Sequence, residues 1–239
     1  MDQFEFEITA QDGIARIDLN RPDEGNAMTR AMMVTLAERL REVGAKVENR
    51  VVVLAARGTH FCRGRDGTGE SSKGMSAYEM RVKMMGATLG VYEAIAAVPV
   101  PVVALVQGPA TGFGAAMASA CDVTLASSEA AFSFPEIKHG IPPTMAMAAT
   151  IRNVPPKALA YLIYSGATLT ADQAVTFGLA SRVFANDRFA AECETFLTEL
   201  ASRPRLNLET IKKYQLAAAD LTAAMASEYA GTLMALVRA

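Results

Sequence analysis

Two glycine-centred loops and one isolated glutamate are the parts of this sequence best suited to chemistry. The loops are His60-Phe61-Cys62-Arg63-Gly64-Arg65-Asp66 and Gln107-Gly108-Pro109-Ala110-Thr111-Gly112-Phe113-Gly114, and the glutamate is Glu136, directly after Pro135. Each loop follows a short apolar run, residues 51–55 and 102–106, of the kind that forms a buried strand. Each can therefore present a backbone N–H beyond a strand's end, and two such groups aimed at one carbonyl oxygen make an oxyanion hole. Glu129 and Glu136 are the only acids between Val123 and Ala171, so Glu136 is a carboxylate placed in an apolar stretch. This set suits proton transfer beside a polarised carbonyl. On the residues alone, ordinary glycine turns and a loop carboxylate capping a backbone N–H remain open alternatives.

The elements that must hold these loops alternate along the chain. Residues 4–9 and 14–19 alternate apolar with polar around Asp12-Gly13, a hairpin signal. Thr29 is placed to cap a helix reaching about residue 43, and residues 51–55 read as a buried strand. Residues 58–74 form a Gly/Ser/Lys-rich loop, followed by one helix over 77–97 that Pro99 and Pro101 stop. A strand over 102–106, a short helix through 117 and a strand over 122–125 come next. Beyond Glu136 the pattern is mostly helical. Pro155-Pro156 starts a helix to residue 165, and Thr170 to Gln173 spells a capping box whose helix Gly178 ends. Residues 181–184 suit a last strand. From residue 187 onward the helical pattern is interrupted only by Pro204.

Composition narrows the class. A chain of 239 residues with 51% hydrophobic and 20% charged residues buries a substantial core, which excludes disordered and collagen-like classes. Net charge is −2 and no Lys/Arg run exceeds two residues, which argues against nucleic acid as a partner. The start, Met1-Asp2-Gln3-Phe4-Glu5, lacks a basic segment followed by an apolar one, and no apolar stretch approaches the roughly 20 residues that span a bilayer. The expectation is a soluble, cytoplasmic protein without a membrane partner. Cys62, Cys121 and Cys193 are an odd count without close pairing and read as reduced thiols. His60 and His139 form no ligand pair, so no metal site is expected.

At this point the sequence resembles the enoyl-CoA hydratase/isomerase (crotonase) superfamily, from the first hairpin to about Phe184. The motifs that carry the likeness occur in the family's order: Leu19-Asn20-Arg21-Pro22, Asn26-Ala27, Phe61 to Asp66, Val106-Gln107-Gly108 through Cys121-Asp122, and Pro135-Glu136 through Pro143. The resemblance implies an α/β fold with a crotonase-like ββα spiral core over residues 1–185 that binds acyl-CoA. A helical region over 186–239 would cover the site and form trimers or hexamers.

The resemblance also implies roles. The backbone N–H groups of Arg65 and Phe113, flanked by Gly64, Gly112 and Gly114, would receive the thioester oxygen, and Glu136 matches the second catalytic glutamate. The first hydratase glutamate is replaced by Ala116. One carboxylate suffices to move a proton between carbons, so isomerisation of 3-enoyl-CoA to 2-enoyl-CoA is preferred over hydration by Glu136 alone or with His139. A non-catalytic acyl-CoA-binding scaffold is the third reading. Coenzyme A would enter only as part of the substrate, with no separate cofactor. It would meet Glu24, Asn26, Ala27 and Phe61 to Arg63, with Asp66 nearby. Arg21, Arg63, Lys212 and Lys213 are phosphate candidates, although the two lysines also read as a solvated helical face. Thr144 stands where dienoyl-CoA isomerases and aryl-CoA dehalogenases resemble one another in carrying aspartate, which counts against both. The Arg65 side chain could meet a carboxylated acyl group.

Overall fold

The computed structural model describes residues 5–71 and 73–239; Phe4 of the expected first strand, the rest of residues 1–4, and Ser72 of the expected loop lie outside them. Strands β1 (Phe6–Gln11) and β2 (Ile14–Leu19) form the hairpin, with Asp12 and Gly13 at positive φ in the turn. The Thr29 hydroxyl accepts from the Met32 N–H at 3.2 Å and caps α1 (Arg30–Ala45), which leads to β3 (Val51–Ala56).

The expected single helix over 77–97 is interrupted. It runs as α2 (Ala77–Glu79), opened by a Ser76/Glu79 capping box, then a π-helical stretch Met80–Met85, then α3 (Gly86–Ala97). Arg30 supplies a cause: its guanidinium donates to the Lys83 carbonyl at 3.1 Å, engaging an oxygen that a regular helix uses internally. Next come β4 (Val102–Val106), β5 (Ala110–Thr111), α4 (Phe113–Ala120), β6 (Val123–Ser127) and β7 (Ala131–Ser133). A 3-10 turn, Pro135–His139, precedes α5 (Thr144–Thr150) and α6 (Pro156–Ser165). β8 (Thr168–Thr170) leads into α7 (Ala171–Thr176), which has the expected Thr170/Gln173 capping box, and then β9 (Arg182–Phe184). The C-terminal helices are α8 (Phe189–Ala201), α9 (Arg205–Ala218) and α10 (Ala223–Arg238). Pro204 is thus not the only interruption: Thr222 starts a new helix by accepting from the Met225 N–H.

The larger sheet has the order β1-β2-β3-β4-β6-β9 and is antiparallel only at β1-β2. Both faces of its central strands β3 and β4 are buried, which accounts for their uniformly apolar sequences. Val52, Leu54, Val102, Ala104 and Val106 face α1, α3 and α4. Val51, Val53, Val103, Leu105 and Leu125 pack against Phe189, Cys193 and Leu197 of α8. A smaller sheet, β5-β7-β8, goes beyond the sequence reading.

Lys212 is neither solvated nor at a phosphate site. It is 3% exposed, and its ammonium donates to the Asp122 carboxylate at 2.7 Å and the Ile95 carbonyl at 2.9 Å, which fixes α9 beneath the sheet's end. Lys213 is exposed.

Candidate active site

The two glycine loops are zipped together. Phe61 and Cys62 donate their N–H groups to the Pro109 carbonyl at 3.1 and 3.3 Å, and the Thr111 N–H returns to the Cys62 carbonyl at 2.9 Å. Gly114 is required by this contact, because a Cβ there would overlap the Cys62 carbonyl oxygen.

On its other side, the first loop pairs with Met28. The Met28 N–H donates to the Gly64 carbonyl at 2.9 Å, and the Asp66 N–H donates to the Met28 carbonyl at 2.8 Å, which makes a parallel bridge centred on Arg65. In such a bridge the central residue's own N–H points to the opposite edge. That edge is the side of the second loop, where a Cβ on Gly64 would lie 3.0 Å from the Thr111 oxygen and 3.9 Å from the Phe113 nitrogen. Phe113 is the first residue of α4, so its N–H is among those a helix leaves without an internal partner.

Glu136 completes the group. The Gly112 N–H donates to the Ser133 carbonyl at 2.8 Å and brings the end of β7 beside the second loop. The glutamate then sits on the 3-10 turn with its carboxylate against Gly112: a Cβ at that glycine would lie 2.8 Å from Oε1. Oε2 is buried and meets no hydrogen-bond donor among the described residues. Burial raises the Glu136 pKa above its ordinary value, opposed by its own backbone N–H and by the charge of exposed His139. Gly64, Arg65, Gly112, Phe113, Gly114 and Glu136 therefore converge. Ala116 is fully buried one turn into α4, with its N–H on the Gly112 carbonyl at 3.0 Å.

Tyr92 was not signalled by the sequence. Its ring stacks on Phe113 with centroids 5.9 Å apart, and burial, followed by the negative charge of Glu136, pushes its hydroxyl pKa up. The hydroxyl thus stays protonated. A tyrosine in mid-helix carries no spacing or neighbour motif that marks it.

The remaining candidates form a second group beside the first loop. The Asn26 side chain is consumed in holding that loop, accepting from the Arg21 N–H and donating to the Arg57 and His60 carbonyls. Arg63 donates its N–H to the Gly25 carbonyl, and Arg21 reaches the Ala27 carbonyl at 2.9 Å, with Asp66 and Glu24 at 3.6 and 3.8 Å. Phe61 is fully buried in the core. The Arg65 guanidinium already holds Glu70 at 2.6 Å. Thr144 opens α5 and is exposed, and no contact among the described residues joins it to Glu136.

The cysteines are all free and buried, and desolvation pushes the Cys62 thiol up to about 12. Among the described residues, no three His, Cys, Asp or Glu side chains are grouped to hold a metal, and no helix is long and apolar enough to cross a membrane.

The sequence model of the enoyl-CoA hydratase/isomerase family matches residues 9–235. The mitochondrial enoyl-CoA hydratase domain-containing protein 3 of Danio rerio is 33% identical over 200 residues, covering 83% of this chain and 68% of that protein. The Rattus norvegicus protein of the same name is 28% identical over 82% of this chain, which spans 64% of the rat protein's length. Among solved structures, an enoyl-CoA hydratase of Mycobacterium smegmatis superposes with a TM-score of 0.90 at 30% identity, covering 97% of this chain and 90% of that one.

Proposed function

The chain belongs to the enoyl-CoA hydratase/isomerase family, and on that footing we propose that it shifts the double bond of a 3-enoyl-CoA to give the 2-enoyl-CoA. The carrying observation is the Glu136 carboxylate, buried against Gly112 with an unpartnered oxygen, in a site whose other hydratase position is Ala116.

The thioester oxygen lies between the N–H groups of Arg65 and Phe113. Glu136 takes the proton from the α-carbon, and the electron pair of that C–H bond moves towards the thioester oxygen, where the two N–H groups stabilise the developing negative charge. The same carboxyl then returns the proton to the γ-carbon. The electron pair of the original β,γ double bond forms the new C–H bond, and the enolate pair closes the α,β double bond. No water is consumed, so a second carboxylate has no task. Desolvation of Glu136 serves this role, because a base with a raised pKa takes up a proton more readily. Tyr92, kept protonated, borders the site through its stack on Phe113. Glu24, Asn26, Ala27, Arg63 and Asp66 border the route for the coenzyme A moiety, and the active form is a homotrimer or a hexamer.

Hydration is the second reading, favoured by the relatives' names, which are those of hydratases or hydratase-domain proteins. Mass spectrometry after incubation with a matched 2-enoyl-CoA and 3-enoyl-CoA pair, with chromatographic separation of the isomers, tests both. Isomer interconversion without added water is the expected outcome, and it should vanish in Glu136→Gln. Gain of one water on the 2-enoyl substrate would replace the isomerase reading with the hydratase one. No change with either would leave the acyl-CoA-binding scaffold.

A further inference from the structure

Strands β3 and β4 lead into the two glycine loops, and the register between them ends at Leu54 and Ala104. Beyond it, the next backbone bonds joining the two segments among the described residues are those of Phe61 and Cys62 to the Pro109 carbonyl. The side chain of Gln107 spans the interval. Its amide nitrogen donates to the carbonyls of Ala56 at 3.1 Å, Gly58 at 3.0 Å and His60 at 3.1 Å. Two hydrogens thus serve three acceptors, so one is shared.

Asn26 grips the same turn from another direction. It is buried, and its amide donates to the Arg57 and His60 carbonyls at 2.8 Å each. Both lone pairs of the His60 carbonyl are therefore taken, one by each amide. The remaining carbonyl of residues 56–60, that of Thr59, lies against Gly108, where a Cβ would come within 2.0 Å of its oxygen.

An oxyanion hole works through the fixed placement of its donors, because a hydrogen bond weakens steeply as its distance and angle drift. From the gripped turn the first loop continues to Arg65, and from Gln107 the second continues to Phe113. Gln107 belongs to the second loop and holds the base of the first, so it ties the two N–H groups into one frame. Asn26, by contrast, joins the first loop to the segment before α1, on the side of the coenzyme A route.

We propose that Gln107 is a positioning residue: its grip on residues 56–60 sets the separation of the Arg65 and Phe113 N–H groups, and hence how strongly they polarise the thioester. The inference rests on the acyl-CoA reading above. It applies to isomerisation and hydration alike, since both develop charge on the same oxygen.

Isotope-edited infrared spectra of bound butanoyl-CoA, labelled with carbon-13 at the thioester carbonyl, read that polarisation without turnover. Binding to the full-length wild type should lower the carbonyl stretching frequency relative to the free thioester. Gln107→Met, similar in length and without donors, should lose about half of that displacement while butanoyl-CoA affinity stays within about twofold. Turnover should show the same split, with kcat down about thirtyfold, short of the ~10²–10³ that loss of an oxyanion donor costs, and KM unchanged. Should Gln107→Met fail to fold, Gln107→Ala carries the same comparison, because Gln107 is only half-buried and its space admits water to the three carbonyls. An undiminished displacement in the variant overturns the proposal, whatever happens to its melting temperature or kcat. So does a loss of butanoyl-CoA affinity as large as the loss of kcat, which would be a general loosening. A wild type that leaves the carbonyl stretch unmoved overturns the oxyanion reading itself, and the proposal with it.

Discussion

Glu136 carries opposite consequences for stability and for turnover. Its folded pKa is raised by burial, so between the ordinary carboxylate value and the raised one the native state binds more protons than the unfolded chain. Stability therefore falls as pH rises through that window, and the cost of the buried charge is fully present above it. Glu136→Gln removes the charge. The variant should melt at a higher temperature than wild type at pH 8, and the advantage should disappear below the ordinary carboxylate range, where both states are protonated. Thermal unfolding at the two pH values checks this. In wild type the acid limb of kcat/KM should lie above the ordinary carboxylate range, and turnover should be lost in the variant. Glu136 was legible in the sequence because it stands alone among apolar residues, and Gly64, Gly112 and Gly114 because close approach and positive φ restrict residue type. Tyr92 was not, since a helical tyrosine reads alike whether it faces a core or a site.

At the scale of elements, local chemistry was legible and distant pairing was not. The hairpin, the Thr29 cap and the Thr170 capping box depend on neighbours a few residues away, and all are present. The π-helical stretch depends on Arg30, 53 residues from Lys83. The strands of the smaller sheet, two or three residues long, are too short for an alternating pattern to show. Lys212 was misread for the same reason: helical spacing exposes only neighbours three or four residues off, and Asp122 lies 90 residues away. Lys212 is buried but Asp122 reaches solvent, so the carboxylate left by Lys212→Met can hydrate and the variant should lose about 1–2 kcal/mol, the scale of a hydrogen bond to a charged group. The double variant with Asp122→Asn should recover part of that loss, because an asparagine oxygen can still accept from the Val102 N–H, now bound to Asp122 at 2.7 Å. Denaturant unfolding of the single and double variants measures the difference. An equal loss in both would mean that Lys212 acts by packing alone.

For the whole molecule, the question is what covers the apolar face that the fold leaves next to Glu136. The 3-10 turn carrying the glutamate continues into exposed Ile137 and Ile141, and α6 adds Tyr161 and Tyr164, the latter 81% exposed. Between them lies an apolar groove of about 440 Å³ lined by Pro142, Pro143, Met147, Leu159 and Ile163. Contiguous apolar surface of this kind marks an interaction site, and a net charge of only −2 gives little repulsion between copies. Under the trimer or hexamer proposed above, this face is where copies meet, and assembly would then cover the turn that holds Glu136. Sedimentation velocity should accordingly find wild type as a trimer or a multiple of it, and Tyr164→Glu should release monomers, because the new charge would have to be buried unpaired. Those monomers should keep the raised Glu136 pKa, because a single chain already buries Oε2, and should lose turnover with assembly only through a turn no longer held in place by its neighbour. A monomeric wild type, or an intact assembly in the variant, would reject this face as the interface. Monomers that keep full turnover would show that each chain builds its site unaided.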